Sequence, residues 1–180
     1  MTDRRIQARI PVLGFAAYSG TGKTTLLTQL IPLLRMRGLR IAMIKRAHHA
    51  FDVDRPGKDS YELRKAGASQ MLITSDVRWA LMTDLDRPRE PQLAELIAHI
   101  DQDQADLILV EGFKHEAFPK IELHRREVGK PLLYPADSNI IAIATDAPET
   151  LDTRLPLLSI NNPAGVADFI MNHIRKGPAA

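Results

Sequence analysis

The 180 residues carry 24 Lys and Arg against 22 Asp and Glu, a formal net charge of +2, and 44% of them are hydrophobic. That balance excludes a disordered chain and the dense basic face of a dedicated nucleic-acid binder, and the lack of any cysteine excludes disulfides, thiolate zinc sites and cysteine nucleophiles. No stretch approaches a membrane-spanning length and the first ten residues have no apolar signal core, so a cytoplasmic enzyme or adapter is expected.

Residues 1–10 read as a flexible polar tail ahead of one nucleotide-binding domain over 11–176. The apolar run 12–16 has the composition of a parallel strand covered on both faces. A glycine-rich turn leads from it into a helix over 23–37, where Leu26, Leu27, Leu30, Ile31 and Leu34 recur at helical spacing. Pro32 removes a backbone donor, which predicts either a bend or a helix near its last turns, and Gly38 supplies a left-handed cap. The next strand, 41–44, follows by a right-handed crossover. The polar segment 45–58 is long for a connection, and long structureless connections are commonly functional. Asp59 as N-cap with Glu62 three residues on predicts a short helix that Gly67 ends.

Segments 70–74 and 78–82 flank Ser75-Asp76-Val77 and read as a hairpin inserted into the parallel pattern. Its open edge offers a second copy a place to pair, one route to a homodimer. A helix over 92–100 follows a proline-marked loop, and the apolar strand from 106 ends in the carboxylate of Glu111. Further strands are expected over 120–124, 140–144 and 157–160, with residues 125–139 as a loop of no evident pattern. Pro163 opens a C-terminal helix with Val166, Phe169, Ile170 and Ile174 inward. The fold class is therefore α/β: the three-layer P-loop NTPase fold, with a mostly parallel central sheet and an inserted β-hairpin.

The stretch Ala17-Tyr18-Ser19-Gly20-Thr21-Gly22-Lys23-Thr24-Thr25 carries the strongest chemical signal. A turn that aims successive backbone N–H groups inward at a helix start holds a phosphate chain, and glycines let the backbone come close. Ser19, Gly20, Thr21 and Gly22 form that cradle. Lys23 reaches the β- and γ-phosphates as a point charge, the Thr24 hydroxyl ligates the bridging Mg²⁺, and Thr25 adds a contact near the α-phosphate. Ala17 stands where the full pattern has glycine.

Ligands of open parallel sheets gather at the carboxyl ends of the strands. Glu111 occupies such an end at the Walker B position, either an outer ligand of Mg²⁺ or a base for the attacking water. Asp54 joins it as an outer ligand or sensor of the same ion, with Asp52 as the other choice. Lys58, Arg64 and Lys65 form a cationic group; Arg64 and Lys65 either offset the helix dipole or bind a second anion. Asp146 ends a strand where a carboxylate can accept from guanine amines, or it is an ordinary turn former. His48 and His49 neighbour each other on an extended segment and so point opposite ways, which argues against one metal ion held by both.

Taken together, the phosphate loop, Lys45 with His48-His49, Asp52-x-Asp54-x-Pro56-Gly57-Lys58-Asp59-Ser60, Arg64-Lys65-Ala66-Gly67-Ala68, Arg78-Trp79 and Leu109-Val110-Glu111-Gly112-Phe113-Lys114 resemble the MobB family of molybdopterin-guanine dinucleotide biosynthesis adapters. The resemblance runs from residue 12 to about 170. It implies a dimer that binds GTP with Mg²⁺, hydrolyses it slowly, and works beside the guanylyltransferase that joins GMP to molybdopterin. It admits molybdopterin as a further ligand, which no residue pattern here shows by itself. Arg46 stands where the family more often has histidine. Two other readings of the same residues are a P-loop small-molecule kinase, with Lys58, Arg64 and Lys65 on an anionic acceptor and Asp54 on its hydroxyl, and a metallochaperone-type GTPase using His48 and His49.

Overall fold

Strands and helices follow in the order β1 (Val12–Ala16), α1 (Lys23–Met36), β2 (Ile41–Lys45), α2 (Asp59–Lys65), β3 (Gln70–Thr74), β4 (Trp79–Thr83), α3 (Leu93–Ala98), β5 (Leu107–Glu111), β6 (Lys120–His124), β7 (Ile140–Thr145), β8 (Leu157–Ser159) and α4 (Pro163–Arg175). This computed structural model describes residues 6–47 and 51–175. His48 and His49 lie outside the described residues. The chain divides into two units, one of residues 1–46 and 92–180 and one of residues 47–91.

In the first unit six strands form one parallel sheet in the order β2-β5-β1-β6-β7-β8. Because successive strand residues point to opposite faces, an all-apolar strand serves two layers at once. Leu107 and Leu109 join Leu13, Phe15, Ile121 and Leu123 in a core completed by Leu26, Leu27, Leu30 and Leu34 of α1 and Val166, Ala167 and Ile170 of α4. Ile108 and Val110 join Ile44, Phe113, Phe118 and the α3 residues Leu93 and Ile97 in the opposite core. Each such fully buried aliphatic side chain contributes about 1.5–3 kcal/mol relative to exposure. Helix, sheet, helix is the three-layer arrangement of the P-loop NTPase fold.

Gly14 in β1 faces the second core, where a Cβ would meet Phe118 Cε2 at 2.6 Å and Lys120 Cγ at 2.7 Å. Only a residue without a side chain lets these two pack across the central strand. Residues 6–10, expected to belong to a polar tail, lay Ile6, Ala8 and Ile10 against the same core. The Arg9 amide donates to Gln102 Oε1 at 2.7 Å.

Helix α1 continues through Pro32 to Met36, and Gly38 takes the left-handed conformation at φ 89°. The proline sits in the last turns, on the exposed side. In the second unit β3 and β4 pair antiparallel from Gln70↔Thr83 to Thr74↔Trp79, with β4 one residue later than the expected segment 78–82. Helix α2 starts at Asp59 with Lys58 as N-cap and no side-chain cap bond, where the sequence makes Asp59 the cap. Glu62 Oε1 instead accepts from the Gly57 amide at 3.3 Å, so the reach back toward the helix start is kept without its usual partner.

Candidate functional site

β1 is the point where the sheet order turns: the chain leaves it for β2 on one side and β6 lies on the other. A crevice opens at such a point, beyond the carboxyl ends of the strands. The loop from Ala17 to Gly22 lies at this strand tip, between β1 and α1. Gly20 and Gly22 sit at φ 83° and 87°, a region closed to most side chains. Thr21 is buried, and its hydroxyl donates to the Tyr18 carbonyl at 2.8 Å, which tightens the turn. Gly22 caps α1, the Leu26 amide donates to its carbonyl at 3.0 Å, and no acidic residue stands in the first turn. The first turn of this 14-residue helix therefore carries no carboxylate of its own to answer its unpaired amides, which favours an anion there. Thr24 and Thr25 are exposed beside them.

Strand alternation then delivers the charged groups. Ile41 and Met43 pack against the α1 core, so Lys45 two residues on emerges on that face. Leu107 and Leu109 do the same for Glu111. The two are register partners across β2 and β5. Lys45 Nζ lies 3.2 Å from Glu111 Oε2, and Lys23 Nζ lies 3.6 Å from Oε1. Glu111 is only 12% exposed and Lys23 18%. A carboxylate at the strand tip is thus held between two ammonium groups directly beside the helix that starts with Lys23.

On the other side of the loop the same alternation runs Ile121, Leu123, Arg125. Arg125 Nε donates to the Thr21 carbonyl at 3.1 Å, Nη2 to Asn161 Oδ1 at 2.9 Å and Nη1 to Asp146 Oδ2 at 3.4 Å. Asp146 Oδ1 accepts from the Arg126 amide at 3.1 Å. That amide, with Arg125 alongside, holds the Asp146 carboxyl below the usual carboxylate range. Arg125 was legible only by continuing the strand alternation one step past residue 124, into a stretch read as featureless loop.

The remaining polar groups of β6 are structural. Lys120 is 1% exposed; its ammonium donates to the carbonyls of Lys114 and Glu116 and pairs with Asp137 at 2.7 Å. Burial pushes the Glu122 carboxyl up, and the Leu133 and Tyr134 amides, donating at 2.7 and 2.9 Å, offset part of that. These contacts fix the loops after β5 and β6. Lys114, in the first of them, sits 5.0 Å above the Tyr18 ring of the phosphate loop.

The second unit holds Asp54, Lys58 and Arg64. Arg64 Nη2 donates to Asp52 at 2.7 Å, with Asp54 and Asp84 oxygens each 3.7 Å from its guanidinium, and the side chain is 8% exposed. Neither role expected for Arg64, dipole partner or anion site, includes this: the cation is engaged by three carboxylates inside its own unit. Asp54 Oδ1 accepts from Ser60 Oγ at 3.1 Å and from the Arg55 amide at 2.9 Å. The Asp54 amide, then Arg64, hold the Asp52 carboxyl below its usual range. Lys58 is exposed and lines a cavity of about 780 Å³ with Val53, Asp54, Leu63, Met71 and Ile73. Among the described residues no group of three or more His, Asp or Glu side chains is placed to hold a metal ion.

The family model for Molybdopterin guanine dinucleotide synthesis protein B matches residues 12–146. The chain belongs to the MobB family. It is 52% identical over 168 residues to the molybdopterin-guanine dinucleotide biosynthesis adapter protein of Escherichia coli, covering 93% of this chain and 95% of the relative. Its likeness to the adapter protein of Haemophilus influenzae is 47% over 164 residues, 91% of this chain and 89% of the relative. The crystal structure of Bacillus subtilis MobB superposes with a TM-score of 0.71 at 24% identity, covering 92% and 98% of the two chains, a likeness of fold. The matched MobB region spans the phosphate loop, Lys45, Glu111, Arg125 and Asp146. Among the described residues no helix is long and apolar enough to cross a membrane.

Proposed function

We propose that this chain is an adapter of molybdopterin-guanine dinucleotide biosynthesis that binds GTP with Mg²⁺ in the crevice at the tip of β1 and assists the guanylyltransferase that forms the dinucleotide. One observation carries the nucleotide half of this reading. A helix N-terminus free of acidic side chains, preceded by two left-handed glycines, opens beside a lysine held 3.6 Å from a strand-tip carboxylate.

The residues suit a metal-bound triphosphate. Lys23 turns from Glu111 to the β- and γ-phosphates, and the amides of Gly22, Lys23, Thr24 and Thr25 hold phosphate oxygens. Thr24 and Glu111, the latter directly or through water, would hold Mg²⁺. Held there, the ion would supply positive charge to offset that of the triphosphate. Asp146 accepts from the guanine amines, with Arg125 fixing its carboxylate. Arg125 is itself engaged with the Thr21 carbonyl, Asp146 and Asn161 rather than aimed at a γ-phosphate, which supports slow hydrolysis. The exposed face of Leu72, Trp79 and Leu81 on the hairpin supports a homodimer. A soluble nucleotide adapter of this kind works in the cytoplasm.

Two measurements test the reading. Dinucleotide formation by the guanylyltransferase from molybdopterin and GTP rises when this chain is added and stays at baseline with Lys23→Ala; equal rates with and without the chain would refute the adapter role. Competition between GTP and ATP favours GTP, and Asp146→Ala lowers that preference about tenfold, as expected when a charged hydrogen-bond acceptor is removed.

A further inference from the structure

Glu111 has two cationic partners, and they are mounted differently. Lys23 starts a helix at the end of a glycine turn and lies 3.6 Å from one carboxylate oxygen. Lys45 lies 3.2 Å from Oε2 and 3.4 Å from Oε1, so its ammonium spans both. Its backbone is fixed opposite Glu111 in the parallel ladder, and the Arg46 amide extends that ladder with a 3.0 Å bond to the Glu111 carbonyl. The sheet therefore holds Lys45 and Glu111 together whatever the helix start does.

We infer that Lys45 is the positioning residue of this site, keeping Glu111 neutralised and aimed when Lys23 leaves it for the phosphates. This rests on the GTP-binding reading above. Where Mg²⁺ is held through water, Glu111 keeps its own charge beside the incoming triphosphate, and a cation already bridging that carboxylate offsets the repulsion without needing to move. Both lysines are required because each has one task once nucleotide is bound. Lys23 answers the phosphate charge. Lys45 answers the charge of Glu111, and its side chain is 55% exposed.

Titration calorimetry with Mg·GTP on a double-mutant cycle tests this. Lys45→Met weakens binding about tenfold in the otherwise unaltered chain, but less than about twofold when Glu111 is already Gln, because the repulsion it prevents is gone. Lys45→Arg, which keeps the cation, stays within about threefold of the unaltered chain. An equal loss from Lys45→Met in both backgrounds would mark a direct phosphate contact and overturn the inference, as would no loss beside an unaltered chain that binds. An unaltered chain that takes up no Mg·GTP overturns the nucleotide reading and the inference with it.

Discussion

Arg125 Nε donates to the Thr21 carbonyl at 3.1 Å across a sequence separation of 104 residues. The loop after β6 is thereby tied to the phosphate loop, and the same guanidinium reaches the tips beyond β7 and β8 through Asp146 and Asn161. Arg125→Ala removes all three contacts from a side chain that is 24% exposed. Mg·GTP affinity should fall about tenfold, with a thermal midpoint little changed, because the partners left behind can turn to solvent. Calorimetry on the variant checks this; unaltered affinity would mean that the phosphate loop keeps its shape without the tie.

Gly14→Ala addresses the opposite core. The new methyl would sit under 3 Å from Phe118 and Lys120, and neither can withdraw, since Phe118 is buried and the Lys120 ammonium is anchored to Asp137 at 2.7 Å. Overpacking of this kind costs about 1–3 kcal/mol. Urea unfolding should show that loss.

The Arg40 guanidinium, donating from Nε at 3.0 Å and Nη2 at 2.7 Å, and the Arg40 amide at 2.7 Å bring the Asp106 carboxyl down to about 2 from an ordinary 3.8. A depressed carboxyl pKa means that the unfolded chain binds the proton first as pH falls. The stability this pair contributes is therefore complete above 3.8 and is lost as pH falls toward 2. Asp106→Asn should flatten the acid limb of the stability curve over that window while leaving its shape near neutrality, read by circular dichroism melts across pH.

Much of the fold is written in local pattern. The runs at β1, β5 and β7 are apolar at every core position because both sheet faces are covered, and a glycine-rich turn between such a run and an amphipathic helix has few alternatives. Glu111 was legible for the same reason, as the first charge after an unbroken apolar strand. Lys45 was legible only as the first polar group after the second strand; its place within β2, opposite Glu111, is set by pairing with a residue 66 positions away. The strand over 120–124 is expected, but not that its Lys120 and Glu122 are buried, because loop carbonyls and amides that no periodicity announces cover them. Arg64 shows the same limit: a cation at a helix end suggests a dipole partner, and its three carboxylates come from elsewhere in the second unit.

The most direct measurement is titration calorimetry of Mg·GTP into the unaltered chain and into Lys23→Ala. The account predicts saturable binding of one nucleotide per chain, and a loss of about 2–4 kcal/mol on removing the lysine, as for other charged partners taken from a closed site. Binding of the same strength by both chains would place the nucleotide somewhere other than the loop between β1 and α1 and contradict the account.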